Sequence, residues 1–107
     1  MEKYIEIDGN GVVYCPYCRQ GRISYFILKN EGLDTYICEE CDSTWFSIDD
    51  IFDDEKGQLL IPYLRSLGYA ERITPEAWSR IAEDKGLLLV KDVEDVAEKM
   101  GVKIAYI

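Results

Sequence analysis

The chain has 107 residues, 48% of them hydrophobic, which suits one domain or a small region beside one compact partner region. It carries 21 acids against 12 bases, a net charge of −9, and no histidine. The missing histidine removes the usual general base near neutral pH and the Cys/His and Ser/His/Asp nucleophile arrangements, and no G-x-x-x-x-G-K or G-x-G-x-x-G stretch is present to cradle phosphate, so no enzyme is expected.

In chain order, MEKYIEIDGNG lacks the unbroken apolar stretch of a secretory signal, and the aliphatic runs LLI and LLLV are far too short to span a bilayer. A cytoplasmic protein is expected. YIEI and the residues before Cys15 read as extended. CPYC follows, and taken alone these letters suit a thiol oxidoreductase. A redox pair should precede a helix that lowers its thiol pKa. Here Gly21 and the apolar run Ile23, Tyr25, Ile27 predict a strand instead.

A second pair, Cys38 and Cys41, completes the pattern C-x2-C-x19-C-x2-C. Each two-residue spacer lets a tight turn aim two thiolates at one point, and Zn²⁺ takes four such ligands tetrahedrally at about 2.3 Å. Cys15, Cys18, Cys38 and Cys41 are therefore the expected ligands of one structural Zn²⁺, in a closed shell with no position left for catalytic water. Cys15, Pro16, Cys18, Gly21, Cys38 and Cys41 resemble the knuckles of the zinc-ribbon family. That resemblance implies an antiparallel hairpin with a third strand over residues 1–55. ISYFILK should pair with TYIC across NEGLD, whose Gly32 supplies the turn. Trp45, Phe46 and Ile48 continue as the third strand, with Trp45 over the metal site. SIDDIFDDEKGQ reads as a connector whose acids do not fit an EF-hand loop.

From Leu59 the periodicity becomes helical. Leu60, Tyr63, Leu64 and Leu67 make one face, Pro62 falls in the first turn and Gly68 ends the helix. Thr74, Pro75 and Glu76 start a second helix that closes at Lys85 and Gly86. LLLV at 87–90 reads as a buried strand. Asp92 caps a third helix ending at Gly101, and VKIAYI alternates as a last strand, parallel to the one before it. The fold class is α+β, with the N-terminal four-cysteine zinc-ribbon region (1–55) packed against a C-terminal helix-strand module (56–107) in one compact unit.

The charge is unevenly placed. Residues 30–55 hold no Lys or Arg and ten acids: Glu31, Asp34, Glu39, Glu40, Asp42, Asp49, Asp50, Asp53, Asp54 and Glu55. The rest of the chain sums to +1, and a tetrathiolate Zn²⁺ would take the total from −9 to −11. Such a surface repels phosphate, which Lys and Arg must neutralise, and attracts a cationic protein. Asp49, Asp50, Asp53, Asp54 and Glu55 are the expected partner contacts, with Glu39, Glu40 and Asp42 next. No direct nucleic-acid or membrane contact is expected.

CPYC…ICEECDSTWF followed by PYLRSLGY resembles small bacterial zinc-ribbon proteins found with polymorphic toxins, well over residues 15–46 and loosely over 59–78. That resemblance implies an immunity protein that inhibits a nuclease toxin domain. An alternative is a transcription accessory factor whose ribbon reaches RNA polymerase. Transcript-cleavage factors hold Mg²⁺ with adjacent acids at a hairpin tip, where this chain offers the non-adjacent Glu31 and Asp34.

Overall fold

A computed structural model describes residues 4–53, 56–69 and 74–107. The elements run β1 (Tyr4–Ile7), β2 (Ile23–Leu28), β3 (Leu33–Cys38), β4 (Ser43–Trp45), α1 (Ile48–Ile51), β5 (Gln58–Leu59), α2 (Leu60–Ser66), α3 (Pro75–Ile81), β6 (Ala82–Leu87), α4 (Val90–Met100) and β7 (Lys103–Tyr106). The class is α+β, as expected. One antiparallel sheet has the order β5-β4-β3-β2-β6, and a second, parallel one pairs β1 with β7.

The β2–β3 hairpin forms in the expected place. Ile23 lies opposite Cys38 and Leu28 opposite Leu33. Gly32 turns the chain at φ +62°, and its N–H donates to the Leu28 carbonyl at 2.7 Å. Because side chains alternate across a strand, this register sorts the sheet into two faces. On one, Ile23, Tyr25, Tyr36, Cys38 and Trp45 join a core with β1 and with Val93 and Ala97 of α4. On the other, Phe26, Leu28 and Leu33 pack with Leu64 of α2, Trp78 of α3 and Ala82. Thr35 and Thr44 are buried on this second face. Their hydroxyls donate to the Leu33 and Asp42 carbonyls at 3.2 and 3.0 Å, so neither is left as an unsatisfied polar group.

Two helices follow their sequence signals. α2 has Pro62 in its first turn and is followed by Gly68 at φ +94°. α3 is capped by Thr74, whose hydroxyl accepts from the Ala77 N–H at 3.1 Å.

Elsewhere the structure corrects the expectation. The third strand stops at Trp45, and Ile48 opens α1 instead of extending the strand. Ser47 caps that short helix by accepting from the Asp50 N–H at 3.2 Å, with Asp49 and Asp50 in the first turn where the helix dipole favours acids. The second helix ends at Ile81, four residues short of Lys85. Residues 82–87 instead pair with the outer edge of β2 as β6, whose main chain satisfies N–H and C=O groups there. The run at 87–90 is not one strand: Leu87 ends β6 and Leu89 forms an isolated bridge to Val12. Leu88 is buried by main-chain bonds to Ile23 and Val13, and Leu89 caps α4, with Asp92 one turn inside accepting from the Leu89 N–H at 3.0 Å. The last strand is parallel, but to β1, with Tyr4 opposite Lys103 and Ile7 opposite Tyr106. The 55/56 boundary thus crosses both sheets, since β6 flanks β2 and β7 flanks β1. Among the described residues no helix is long and apolar enough to cross a membrane.

Candidate metal centre

The hairpin register brings the two cysteine pairs together. Cys38 ends β3 opposite Ile23, and the first pair sits in the turn that leads into Ile23. That turn is closed by the Cys15 N–H donating to the Gly21 carbonyl at 2.8 Å and the Arg19 N–H donating to the Cys15 carbonyl at 3.0 Å. No helix follows the CPYC residues; the chain passes directly into β2. Arg19 and Asp42, each the residue after the second cysteine of its pair, are the described non-glycine residues with positive φ, at +59° and +60°. The same turn has been built twice. An L-residue in that conformation costs roughly 1–2 kcal/mol, a strain that a bound metal would offset by fixing the turn.

The four Sγ atoms lie within 4.8 Å of one another. Cys18 and Cys38 approach to 3.5 Å and Cys15 and Cys41 to 3.7 Å. A regular tetrahedron with bonds of about 2.3 Å has edges of about 3.8 Å, so the closest sulfurs already stand at metal-sharing distance. They are free thiols, far beyond the roughly 2.05 Å of a disulfide. The N–H groups of Tyr17, Gly21 and Glu40 donate to Cys15, Cys18 and Cys38 Sγ at 3.4 Å each, and that of Cys41 donates to Cys38 Sγ at 3.5 Å. Such donors favour thiolate.

The cluster's proton chemistry follows from its burial. Burial pushes the Cys15 thiol up to about 11 and drives Cys38 higher still. At Cys18 burial is outweighed by the amides of Gln20 and Gly21 and by the Cys38 and Cys15 thiols, and the value falls to about 7. Four thiolates cannot share this volume without a cation. A dication removes that repulsion and binds as protons leave. The donor set thus fits one metal ion.

Gly21 is essential to this geometry. A Cβ there would lie 2.4 Å from Cys38 Sγ and 2.9 Å from the Glu40 nitrogen, neither of which has room to move. Gly21→Ala is therefore expected to weaken metal affinity about 10–100-fold, the range for substitutions that disturb ligand orientation, as read by competition with a chelating indicator.

Trp45 is fully buried in the core cluster that Cys15 and Cys38 also join, with Cys18 and Cys41 packed against that cluster. Tyr17, between the first two cysteines, sets its ring 5.6 Å from that of Trp45. Sequence reasoning missed this role for Tyr17, because one tyrosine in a turn carries no periodic signal. Gly57 allows the close passage that completes it, since a Cβ there would sit 2.5 Å from the Tyr17 ring.

The acids fall into two groups. Glu39, Glu40 and Asp42 are exposed on the second cysteine turn. Asp49 is exposed and Asp50 half-buried on α1, which packs against α4 and β4, with Asp53 half-buried just beyond. Asp54 and Glu55 lie outside the described residues. Glu39 is partly engaged, by Arg22 Nε at 3.0 Å and by the Ser24 hydroxyl at 3.3 Å. Of the alternative pair, Glu31 accepts from the Tyr69 hydroxyl at 2.9 Å and Asp34 from the Tyr25 hydroxyl at 2.7 Å, so each carboxylate is held by a different tyrosine. No protein-family model, curated protein or solved structure matches this chain.

Proposed function

We propose that this chain is a non-catalytic zinc-ribbon protein that binds and neutralises a basic protein, acting as an immunity protein toward a nuclease toxin domain. One observation carries the reading. The second cysteine turn, Cys38-Glu39-Glu40-Cys41-Asp42, presents three exposed acids on the loop that the metal would hold rigid. Zinc fits because four thiols are the soft, tetrahedral donor set it prefers and because a closed shell has a structural role. Acids fixed in space attract a cationic cleft without losing much side-chain freedom on binding. A nuclease presents such a cleft, since it must bind phosphate.

The test is stoichiometric inhibition of a nuclease domain encoded beside this chain, followed by stopped-flow association. Replacing Glu39, Glu40, Asp42, Asp49, Asp50 and Asp53 with their amides is expected to slow association at low salt by about 10-fold or more and to flatten its salt dependence. Firm binding to bare DNA at physiological salt would contradict the reading. So would association rates unaltered by the amides.

A further inference from the structure

We infer that the groove beside the second cysteine turn is the seat of an arginine-anchored segment of a cationic partner protein. The groove lies on the sheet face that packs against α2 and α3, and its volume is about 440 Å³. Its lining away from the cysteine turn is apolar apart from Ser24. Phe26 and Ile37 come from adjacent strands, Leu60 from the start of α2 and Trp78 from α3, with the Trp78 ring meeting Phe26 edge-on at 5.2 Å. Its remaining end is the second cysteine turn, through Cys38, Glu39 and Asp42.

This combination selects its occupant by charge. Asp42 is exposed and joins none of the ion pairs among the described residues, while Glu39 shares only one cation, Arg22. Cys38 is both groove wall and metal ligand. Four thiolates around a dication carry a net −2, so the loaded centre adds negative charge behind the two carboxylates. A neutral or acidic segment gains nothing at that end. A guanidinium does, because its planar fork pairs with carboxylates while its flat face stacks on an indole such as Trp78. A neighbouring apolar side chain would fill the space between Phe26 and Ile37. Tryptophan-lined pockets with an arginine anchor are where interface energy concentrates.

This inference rests on the basic-partner reading above and adds where that partner docks. The test uses the zinc-loaded full chain, ¹⁵N-labelled, titrated with a short peptide rich in arginine and tryptophan and with its counterpart carrying glutamate for arginine. The arginine peptide is expected to shift the amides of Ser24, Ile37 and Glu39 and the Trp78 indole, and the glutamate peptide to leave them in place. Trp78→Ala should weaken binding about 10-fold or more and Asp42→Asn about 3-fold or more. Asparagine tolerates the positive φ of position 42, so the second variant decides the matter if the first loosens α3. Shifts confined to α1, with Asp42→Asn and Trp78→Ala both neutral, would overturn the groove and leave the basic-partner reading standing. Equal binding of both peptides, or of neither, would likewise overturn the groove, while the basic-partner reading is decided by the association rates of the amide variants.

Discussion

Cys38→Ser is expected to abolish metal binding and, with it, the cooperative fold. Cys38 is fully buried at the end of β3, where the Glu40 and Cys41 amides donate to its sulfur. A serine hydroxyl in that place is a harder donor that stays protonated, leaving three thiolates and an open position. The magnitude decides the outcome. Metal binding in zinc-finger peptides contributes about 10–16 kcal/mol, against a total stability of about 5–15 kcal/mol for an ordinary domain. Elemental analysis should show one ion per wild-type chain and none in the variant, and the circular-dichroism melt should lose its sharp transition. A strong chelator should do the same to the wild type. Acid should act in the same direction, because the Cys15 and Cys38 thiols, with ordinary values raised by burial, take up protons readily once the cation is displaced. A metal-free wild type that melts at an unchanged temperature would refute the expectation.

What the sequence disclosed follows from how local each signal was. Four cysteines at fixed spacing, Gly32 between two alternating runs and Thr74 before Pro75 are short-range features. The structure places each as expected. The failures lie where local signals were ambiguous or contacts were remote. Leu87 to Val90 is a four-residue apolar run, which periodicity cannot assign. One leucine of it is core, and the next two residues begin α4. Residues 82–87 contain Glu83, Asp84 and Lys85, a composition that reads as exposed helix. They form an exposed edge strand because β2 offers an unpaired side. Ser47 followed by Asp50 was a usable cap signal for α1 that the strand reading of Ile48 concealed. The pairing of β1 with β7 joins residues about a hundred positions apart and has no counterpart in local pattern. At the site the ligands were legible and the groove was not, because Phe26, Leu60 and Trp78 meet only through tertiary packing.

Trp45→Ala is expected to cost about 3–5 kcal/mol, the usual range for truncating a buried aromatic, and so to lower the melting temperature by tens of degrees. Trp45 has the largest fully buried side chain, and it stands opposite Tyr36, which stacks on Tyr25 at 5.0 Å. Trp45 shares a core cluster with Cys15 and Cys38, so removing the indole should also loosen the apolar surroundings of the thiolates, and the remaining folded protein should exchange its metal faster. Trp45→Phe should behave differently. The buried indole Nε1 has no hydrogen-bond partner among the described residues, and a buried donor left unpaired costs about 1–3 kcal/mol. Phenylalanine gives up part of the ring volume but removes that donor, and the two changes oppose each other. The Phe variant is expected within about 1 kcal/mol of wild type in denaturant unfolding monitored by circular dichroism. If it loses as much as the Ala variant, the N–H is contributing a bond at this site, and the thiolate sulfurs of the loaded centre become the acceptors to examine.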